Sequence, residues 1–296
     1  MDSVAALLQG ISSGNFRSLA RSLTLVENEL GHGAEILRSL NSGTKTPVIG
    51  ITGPPGAGKS TLVNAITNLA VADGKRIAIL AVDPTSPFNF GSLLGDRIRM
   101  AQQFNKPGVF IRSVATRGAL GGVSAKTIEM VDVLKAAAFD LIVVETVGVG
   151  QSELEIAGLA DKTIVVLVPE SGDEIQHIKS GLMEIAQAFV VNKADRDGAA
   201  QFANNLKKMV FQQHQQIPVF KTVADKQDGV DVLYKWMLKT GDIDTERKIL
   251  LLAEKAFRLI QSKRMATIDR NDLLKKIGDG IVRDDFNIYR FIDGWS

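Results

Sequence analysis

Residues 53–60 read Gly53-Pro54-Pro55-Gly56-Ala57-Gly58-Lys59-Ser60, a complete Gly-x4-Gly-Lys-Ser pattern. Its chemistry is that of a phosphate cradle. Backbone N–H groups from Gly56 onward can surround phosphate oxygens, Lys59 can reach the terminal ones, and the Ser60 hydroxyl can ligate Mg2+. Pro54 and Pro55 lack an N–H, but they stand ahead of the N–H nest and cost it nothing. Val48-Ile49-Gly50-Ile51-Thr52 before the loop reads as a strand, and Thr61-Leu62-Val63 after it opens a helix. Those flanks favour a phosphate loop over a Gly-rich turn without chemistry.

Asn192-Lys193-Ala194-Asp195 follows the apolar run Phe189-Val190-Val191. Such a tetrapeptide alone is usually a polar loop. At the carboxyl end of a strand, downstream of a phosphate loop, it reads as a guanine site. The Asp195 carboxylate can accept from both the ring N–H and the exocyclic amine of guanine. Adenine would oppose it with a ring lone pair, leaving two acceptors unpaired, so GTP is expected over ATP. The Lys193 stem can lie along the base plane. Thr222-Val223-Ala224, after the next strand, is where a backbone N–H to the guanine carbonyl is expected.

Acidic residues complete the candidate site. Asp83 ends the run 76–82, a usual metal position in an α/β phosphate-binding fold. Glu145 ends the strand Leu141-Ile142-Val143-Val144 and precedes Thr146-Val147-Gly148. A carboxylate there can bind Mg2+ through water or position the attacking water, and Gly148 offers an N–H to a γ-phosphate. Asp96 lies in a Gly-bearing loop, 90–96. The bland alternative for any one acid is a helix N-cap or a solvated surface charge. His32, His177 and His214 lack metal-ligand spacing, and the seven Met are dispersed.

The whole chain, 296 residues, sets limits on other functions. Lys+Arg 35 against Asp+Glu 33 is too balanced to predict binding to a nucleic-acid backbone. There is no cysteine, which excludes disulfides, thiolate zinc sites, iron–sulfur clusters and cysteine catalysis. The apolar runs are strand-sized, far below the roughly 18–20 residues of a membrane span. With Asp2 where a signal peptide wants positive charge, a soluble, cytoplasmic protein without membrane contact is expected.

The elements that must position these residues follow from periodicity. Leu7, Leu8 and Ile11, then Leu19, Leu23 and Val26, recur at helical spacing around a Ser12-Ser13-Gly14-Asn15 break. Strands are expected at 47–52, 76–82, 140–145, 163–168, 188–192 and 217–222, with a helix at 59–72. Near-continuous apolar strands separated by helices predict an α/β fold, its mostly parallel sheet covered by helices on both faces. Ile249, Leu252, Ala253, Ala256, Leu259 and Ile260 mark a helix face in the tail, with shorter helices at 271–277 and 285–292. The expected organisation is an N-terminal helical segment 1–45, a nucleotide-binding domain 46–243 and a C-terminal helical extension 244–296.

With these motifs in order, the chain resembles the methylmalonyl-CoA mutase-associated GTPases, which include the bacterial MeaB and ArgK proteins and were historically called arginine/ornithine transport kinases. The resemblance rests on residues 50–61; on Ala81-Val82-Asp83-Pro84-Thr85-Ser86 with 91–96 and Arg99-Met100; on Gly121-Gly122 and Lys126-Thr127; on Glu145-Thr146-Val147-Gly148-Val149-Gly150-Gln151-Ser152-Glu153; and on Gly172-Asp173-Glu174, Gln176, Lys179 and 192–195. It implies a P-loop GTPase core, a homodimer, and a partner that is an adenosylcobalamin-dependent acyl-CoA mutase, whose cofactor loading the GTPase gates and which it protects. It also implies that Ser60, Asp83, Asp96 and Glu145 form the Mg2+ environment, that Lys59, Asp96, Glu145 and Gly148 serve hydrolysis, and that 172–179 communicates nucleotide state. Two departures stand out. Pro87-Phe88-Asn89-Phe90 replaces small or polar residues with a second glycine, and the tail beyond Thr245 is only loosely similar to the family's dimerising arm. The alternatives are a metallochaperone-type GTPase, which would want a Cys/His ligand set, and a transport-associated nucleotide-dependent kinase, which would want a kinase catalytic loop.

Overall fold

The computed structural model describes residues 3–40, 46–83, 103–115, 125–146, 156–170, 183–212, 217–239, 245–265, 267–281 and 286–293. The chain opens with α1 (Val4–Ser12), α2 (Phe16–Glu27) and α3 (Gly33–Ser39). Asn15 starts α2 because its side-chain oxygen accepts from the Arg17 and Ser18 N–H groups, both at 3.0 Å. Of the apolar positions at helical spacing, Leu7, Ile11, Leu19, Leu23 and Val26 are buried, and Leu8 is half-buried against the same cluster.

An alternation of strands and helices follows: β1 (Val48–Thr52), α4 (Lys59–Ala72), β2 (Ile77–Asp83), β3 (Val109–Ala115), α5 (Ala125–Lys135), β4 (Leu141–Thr146), a 3-10 turn Ile156–Gly158, β5 (Lys162–Leu167), α6 (Met183–Ile185), β6 (Ala188–Val191), α7 (Ala199–Gln212), β7 (Val219–Lys221) and α8 (Val230–Leu238). The seven strands form one sheet in the order β3-β2-β4-β1-β5-β6-β7. Every strand pair is parallel. The expected α/β fold, a mostly parallel sheet covered on both faces, is the fold observed.

Alternation of side chains splits the core by face. Ile49, Ile51, Ile79, Val143 and Ile164 pack against Leu62, Val63 and Ile66 of α4 and Val230 and Leu233 of α8. Val48, Leu80, Ile142 and Val144 face the other way, against α1, α2, α3 and α5. Phe189 and Val191 pack on Phe202 and Leu206 of α7. The central strands β1 and β4 are buried at every residue, as strands covered on both sides must be.

β3 is a strand absent from the sequence expectations. It lies at the sheet edge, where one pairing partner suffices, and Arg112-Ser113 interrupts its apolar pattern. Arg112 is accommodated by an ion pair with Glu27 of α2. A second link joins the N-terminal helices to the sheet. The Arg76 guanidinium lies 5.5 Å from the Phe16 ring centroid and 5.4 Å from that of Phe139, and donates to the Gly14 carbonyl at 2.8 Å.

Two compact units are present, Met1–Leu252 and Ala253–Ser296. α9 (Thr245–Met265) runs across this boundary, and α10 (Arg270–Ile281) and α11 (Ile288–Asp293) belong to the second unit. Within that unit Phe286 and Phe291 pack with ring centroids 5.9 Å apart, while Leu274, Ile281 and Tyr289 are exposed. Among the described residues no helix is long and apolar enough to cross a membrane.

Gly50, in the middle of β1, is a packing requirement. A Cβ there would come 2.7 Å from Cγ1 of Ile156 and 3.0 Å from Cβ of Ala160. Gly50→Ala overfills this contact, and we expect it to cost about 1–3 kcal/mol. A urea titration should show a lower midpoint at unchanged m-value; an unshifted midpoint would mean the 3-10 turn moves aside freely.

Candidate nucleotide site

The parallel strands bring their carboxyl ends to one edge, where loops carry chemistry. Register fixes which residues meet there. Ile51 pairs with Glu145 and Thr52 with Val165, Leu167 with Val191, and Val191 with Lys221. The loop after β1, the acid of β4, the polar motif after β6 and the turn after β7 therefore converge.

The loop 53–58 is shaped by its glycines. Gly53 has φ 137°, and a Cβ on it would lie 2.1 Å from the Val166 carbonyl oxygen of β5. Gly58 has φ 82°, and a Cβ there would lie 2.4 Å from Asn192 Nδ2. The Ala57 N–H closes the turn onto the Pro54 carbonyl at 3.3 Å, and α4 begins at Lys59. Lys59, only 8% exposed, donates from Nζ to the Gly53 carbonyl at 2.7 Å and the Pro54 carbonyl at 2.9 Å. These carbonyls hold the ammonium beneath the loop, at the start of a helix whose N–H groups suit an anion.

Asn192 ties the base-side loop to the phosphate-side loop. Its Nδ2 donates to the Ala57 carbonyl at 2.9 Å, and its Oδ1 accepts from Thr222 Oγ1 at 3.0 Å and the Ala224 N–H at 3.2 Å. Lys193 sits in the left-handed region, φ 54°, and its Nζ donates to the Gly56 carbonyl at 2.8 Å. Asp195 accepts from Lys226 Nζ at 2.9 Å. That bond holds the Asp195 carboxyl below its ordinary range and raises the Lys226 ammonium above its own, so the pair is charged at neutral pH. Next along, Arg196 pairs with Glu170, whose carboxyl is likewise held low.

Thr222, Val223 and Ala224 stand where expected, but their N–H groups are engaged within the protein. They donate to the Val191 carbonyl at 2.9 Å, the Asp228 carbonyl at 3.0 Å and Asn192 Oδ1 at 3.2 Å respectively. Within the protein the Thr222 hydroxyl and the Ala224 N–H brace Asn192.

At the acidic side, Ser60 Oγ donates to Glu145 Oε1 at 2.7 Å, and Glu145 is 6% exposed. A hydroxyl and a buried carboxylate this close are two hard oxygen donors of the kind that suit Mg2+. Among the described residues no group of three or more His, Cys, Asp or Glu could hold a metal. Asp83 is the last residue of β2, beside the carboxyl end of β4. Its side chain, and all of Asp96, Gly148 and 172–179, lie outside the described residues.

Two hydroxyls that sequence reasoning missed join the ends of β1 and β4. Thr146 Oγ1 donates to Thr52 Oγ1 at 3.0 Å, with both residues fully buried. Threonine at a strand end carries no distinguishing sequence signal. Lys226, on an acidic turn outside any motif, was missed for the same reason.

A parallel sheet carrying Gly-x4-Gly-Lys-Ser after β1 and Asn-Lys-x-Asp after β6 defines a phosphate-loop GTPase that binds guanine nucleotide. Comparison with known proteins narrows this: the chain belongs to the family of the methylmalonyl-CoA mutase-associated GTPase MeaB, which it matches over residues 19–278. A protein of Pyrococcus horikoshii named for a GTPase is 44% identical over 263 residues, 84% of this chain and 83% of its own. The mouse mitochondrial methylmalonic aciduria type A homolog is 38% identical over 209 residues, 66% of this chain and 50% of its own. The solved structure of a LAO/AO transport system kinase has a TM-score of 0.68 and 25% identity, covering 95% of this chain and 98% of that one.

The buried hydroxyl pair generates a stability prediction. Thr146→Val withdraws the donor from a buried oxygen and should cost about 1–3 kcal/mol. Thr52→Val/Thr146→Val removes both polar partners and should recover part of that loss. Urea unfolding of the two variants checks this; a double variant less stable than the single one would show that the hydroxyls do not act as a pair.

Proposed function

We propose that this GTPase is a chaperone of an adenosylcobalamin-dependent acyl-CoA mutase of the methylmalonyl-CoA type, gating cofactor loading and protecting the mutase. The observation that carries the proposal is the family match over 19–278, in a chain whose phosphate-side and base-side loops are hydrogen-bonded into one unit. The name of the mouse relative points to the same metabolism.

In this reading the N–H groups of 56–61 surround the phosphates, Thr61 among them, and the Ala57 N–H leaves the Pro54 carbonyl to join them. The γ-phosphate outcompetes the Gly53 and Pro54 carbonyls for Lys59, because a charged acceptor binds an ammonium more strongly than a neutral one. Asp195 reads the guanine edge, and the Lys193 stem lies along the base. Water attacks the γ-phosphorus, the bridging P–O bond breaks, and GDP leaves as phosphate takes up the water's oxygen. Glu145, with Asp96, acts on that water or on Mg2+ through water, and the Gly148 N–H donates to the γ-phosphate. Ser60 and Glu145, with Asp83 and Asp96, are the residues assigned to hold Mg2+, which when bound neutralises charge on the phosphates.

The mutase and the nucleotide must each favour one of two states of the GTPase if they are coupled, and such coupling is reciprocal. Adding an adenosylcobalamin-dependent methylmalonyl-CoA or isobutyryl-CoA mutase should therefore change the GTP hydrolysis rate or the GDP/GTP affinity ratio. Both quantities staying flat with each mutase would refute the chaperone reading and leave a GTPase with another partner.

The proposal includes a homodimer. Exposed Ile249, Leu252, Phe257 and Ile260 on α9 supply apolar surface for it, with side chains more than half exposed. Light scattering should give twice the chain mass, with and without a GTP analogue; a monomer mass in both would exclude it.

A further inference from the structure

Lys226 belongs to no nucleotide-binding motif, yet the fold aims it at the base-reading acid. It sits at the tip of a tight turn closed by two backbone bonds, Val223 N–H to the Asp228 carbonyl at 3.0 Å and Asp228 N–H to the Val223 carbonyl at 3.2 Å. Its own N–H donates to the Val223 carbonyl at 3.0 Å. Gln227 follows in the left-handed region, and Gly229 at φ 68° lets the chain pass Lys221, whose carbonyl oxygen a Cβ would approach to 2.2 Å. The turn is in turn fixed to the base-side loop. Thr222 Oγ1 and the Ala224 N–H donate to Asn192, and the Ala194 N–H donates to the Thr222 carbonyl at 3.0 Å. Lys226 and Asp195 are therefore side chains on two backbone points held to one frame, with a 2.9 Å bond between them.

We propose that Lys226 is a positioning residue for guanine: its ammonium holds the Asp195 carboxylate in the rotamer that presents both oxygens to the base. The inference rests on Asp195 reading the base, as proposed above. A carboxylate has two oxygens with two lone pairs each. A ring N–H and an exocyclic amine use one lone pair on each oxygen, so Oδ2 can keep its bond to Lys226 while guanine is bound. Without that bond the Asp195 side chain, 42% exposed, can turn into solvent, and binding guanine must then freeze it. Discrimination suffers more than affinity for the phosphates, because it depends on the second oxygen being in place. The ion pair leaves the carboxylate ionised and the lysine charged, as this role needs.

Binding of GDP, IDP and XDP to the full chain tests the proposal, with IDP lacking the exocyclic amine and XDP replacing it by a carbonyl. Lys226→Met keeps the stem and removes the charge. It should weaken GDP by about two- to fivefold, the range an exposed ion pair supports, and lower the GDP/IDP preference. Lys226→Arg, which retains a cationic donor, should behave like the wild type. The gap between wild type and Lys226→Met should close as salt rises, since an exposed pair is screened. An unchanged GDP affinity and GDP/IDP ratio in Lys226→Met would overturn the proposal, and so would tighter GDP binding, which would mean that lysine competes with the base. Asp195→Asn separates the two layers of inference. If it shifts preference toward XDP while Lys226→Met moves nothing, only the role of Lys226 fails; if it leaves the GDP/XDP ratio unaltered, the base-reading assignment fails and Lys226 falls with it.

Discussion

The side chain of Asn192 is the interaction on which the geometry of the site depends. It is 2% exposed and uses both of its polar atoms, reaching the Ala57 carbonyl on one side and Thr222 and Ala224 on the other. Loops after three different strands are thereby locked together in a dry environment, where each bond is strong and each unpaired group is costly. Gly58 is part of the same constraint. Any side chain at that position would invade the space of Asn192 Nδ2, so the glycine serves the base-side loop as much as the phosphate-side one.

The lock is possible because the sheet delivers its strand ends at one level. β1 lies between β4 and β5, and both β1 and β4 are buried throughout. Helices α1 to α3 share an apolar cluster with β2 and β4, so they contribute to the rigidity of the strands that carry Asp83 and Glu145. The Arg76 contacts with Phe16, Phe139 and Gly14 hold the start of α2 beside the opposite edge of the sheet. The chemistry at one edge thus rests on packing at both.

Much of this was legible from residue types because parallel buried strands are written as uninterrupted apolar runs. The runs 48–51 and 141–144 are of this kind, and the Gly-x4-Gly-Lys-Ser loop between strand and helix needs glycines at fixed places. β3 was not legible. An edge strand tolerates Arg112 and Ser113 mid-run, and its partner Glu27 is 85 residues distant in sequence. The site was legible as motifs but not as a network. Nothing in Thr222-Val223-Ala224 says that the Thr222 hydroxyl and the Ala224 N–H serve Asn192, since that depends on which strand lies beside β6. Thr52, Thr146 and Lys226 act through partners that only the register and the turn bring within reach.

The site contains two grades of polar contact, and their energetics differ in kind. The Asn192 bonds and the Thr52–Thr146 pair lie among buried groups, where losing one partner strands the other. The Asp195–Lys226 and Arg196–Glu170 pairs lie at the rim, with side chains 42–64% exposed, where water offers each charge an alternative partner. Buried contacts of the first kind hold a frame against thermal motion, because breaking them has no cheap intermediate. Rim ion pairs can exchange partners at small cost while still biasing a side chain toward one rotamer. A GTPase needs both properties, since the frame must fit phosphates and base together, yet nucleotide must enter and leave past the rim. Asp195 stands on the loop that Asn192 braces and Lys226 on an exposed turn, so their pair joins a fixed frame to an exchangeable contact.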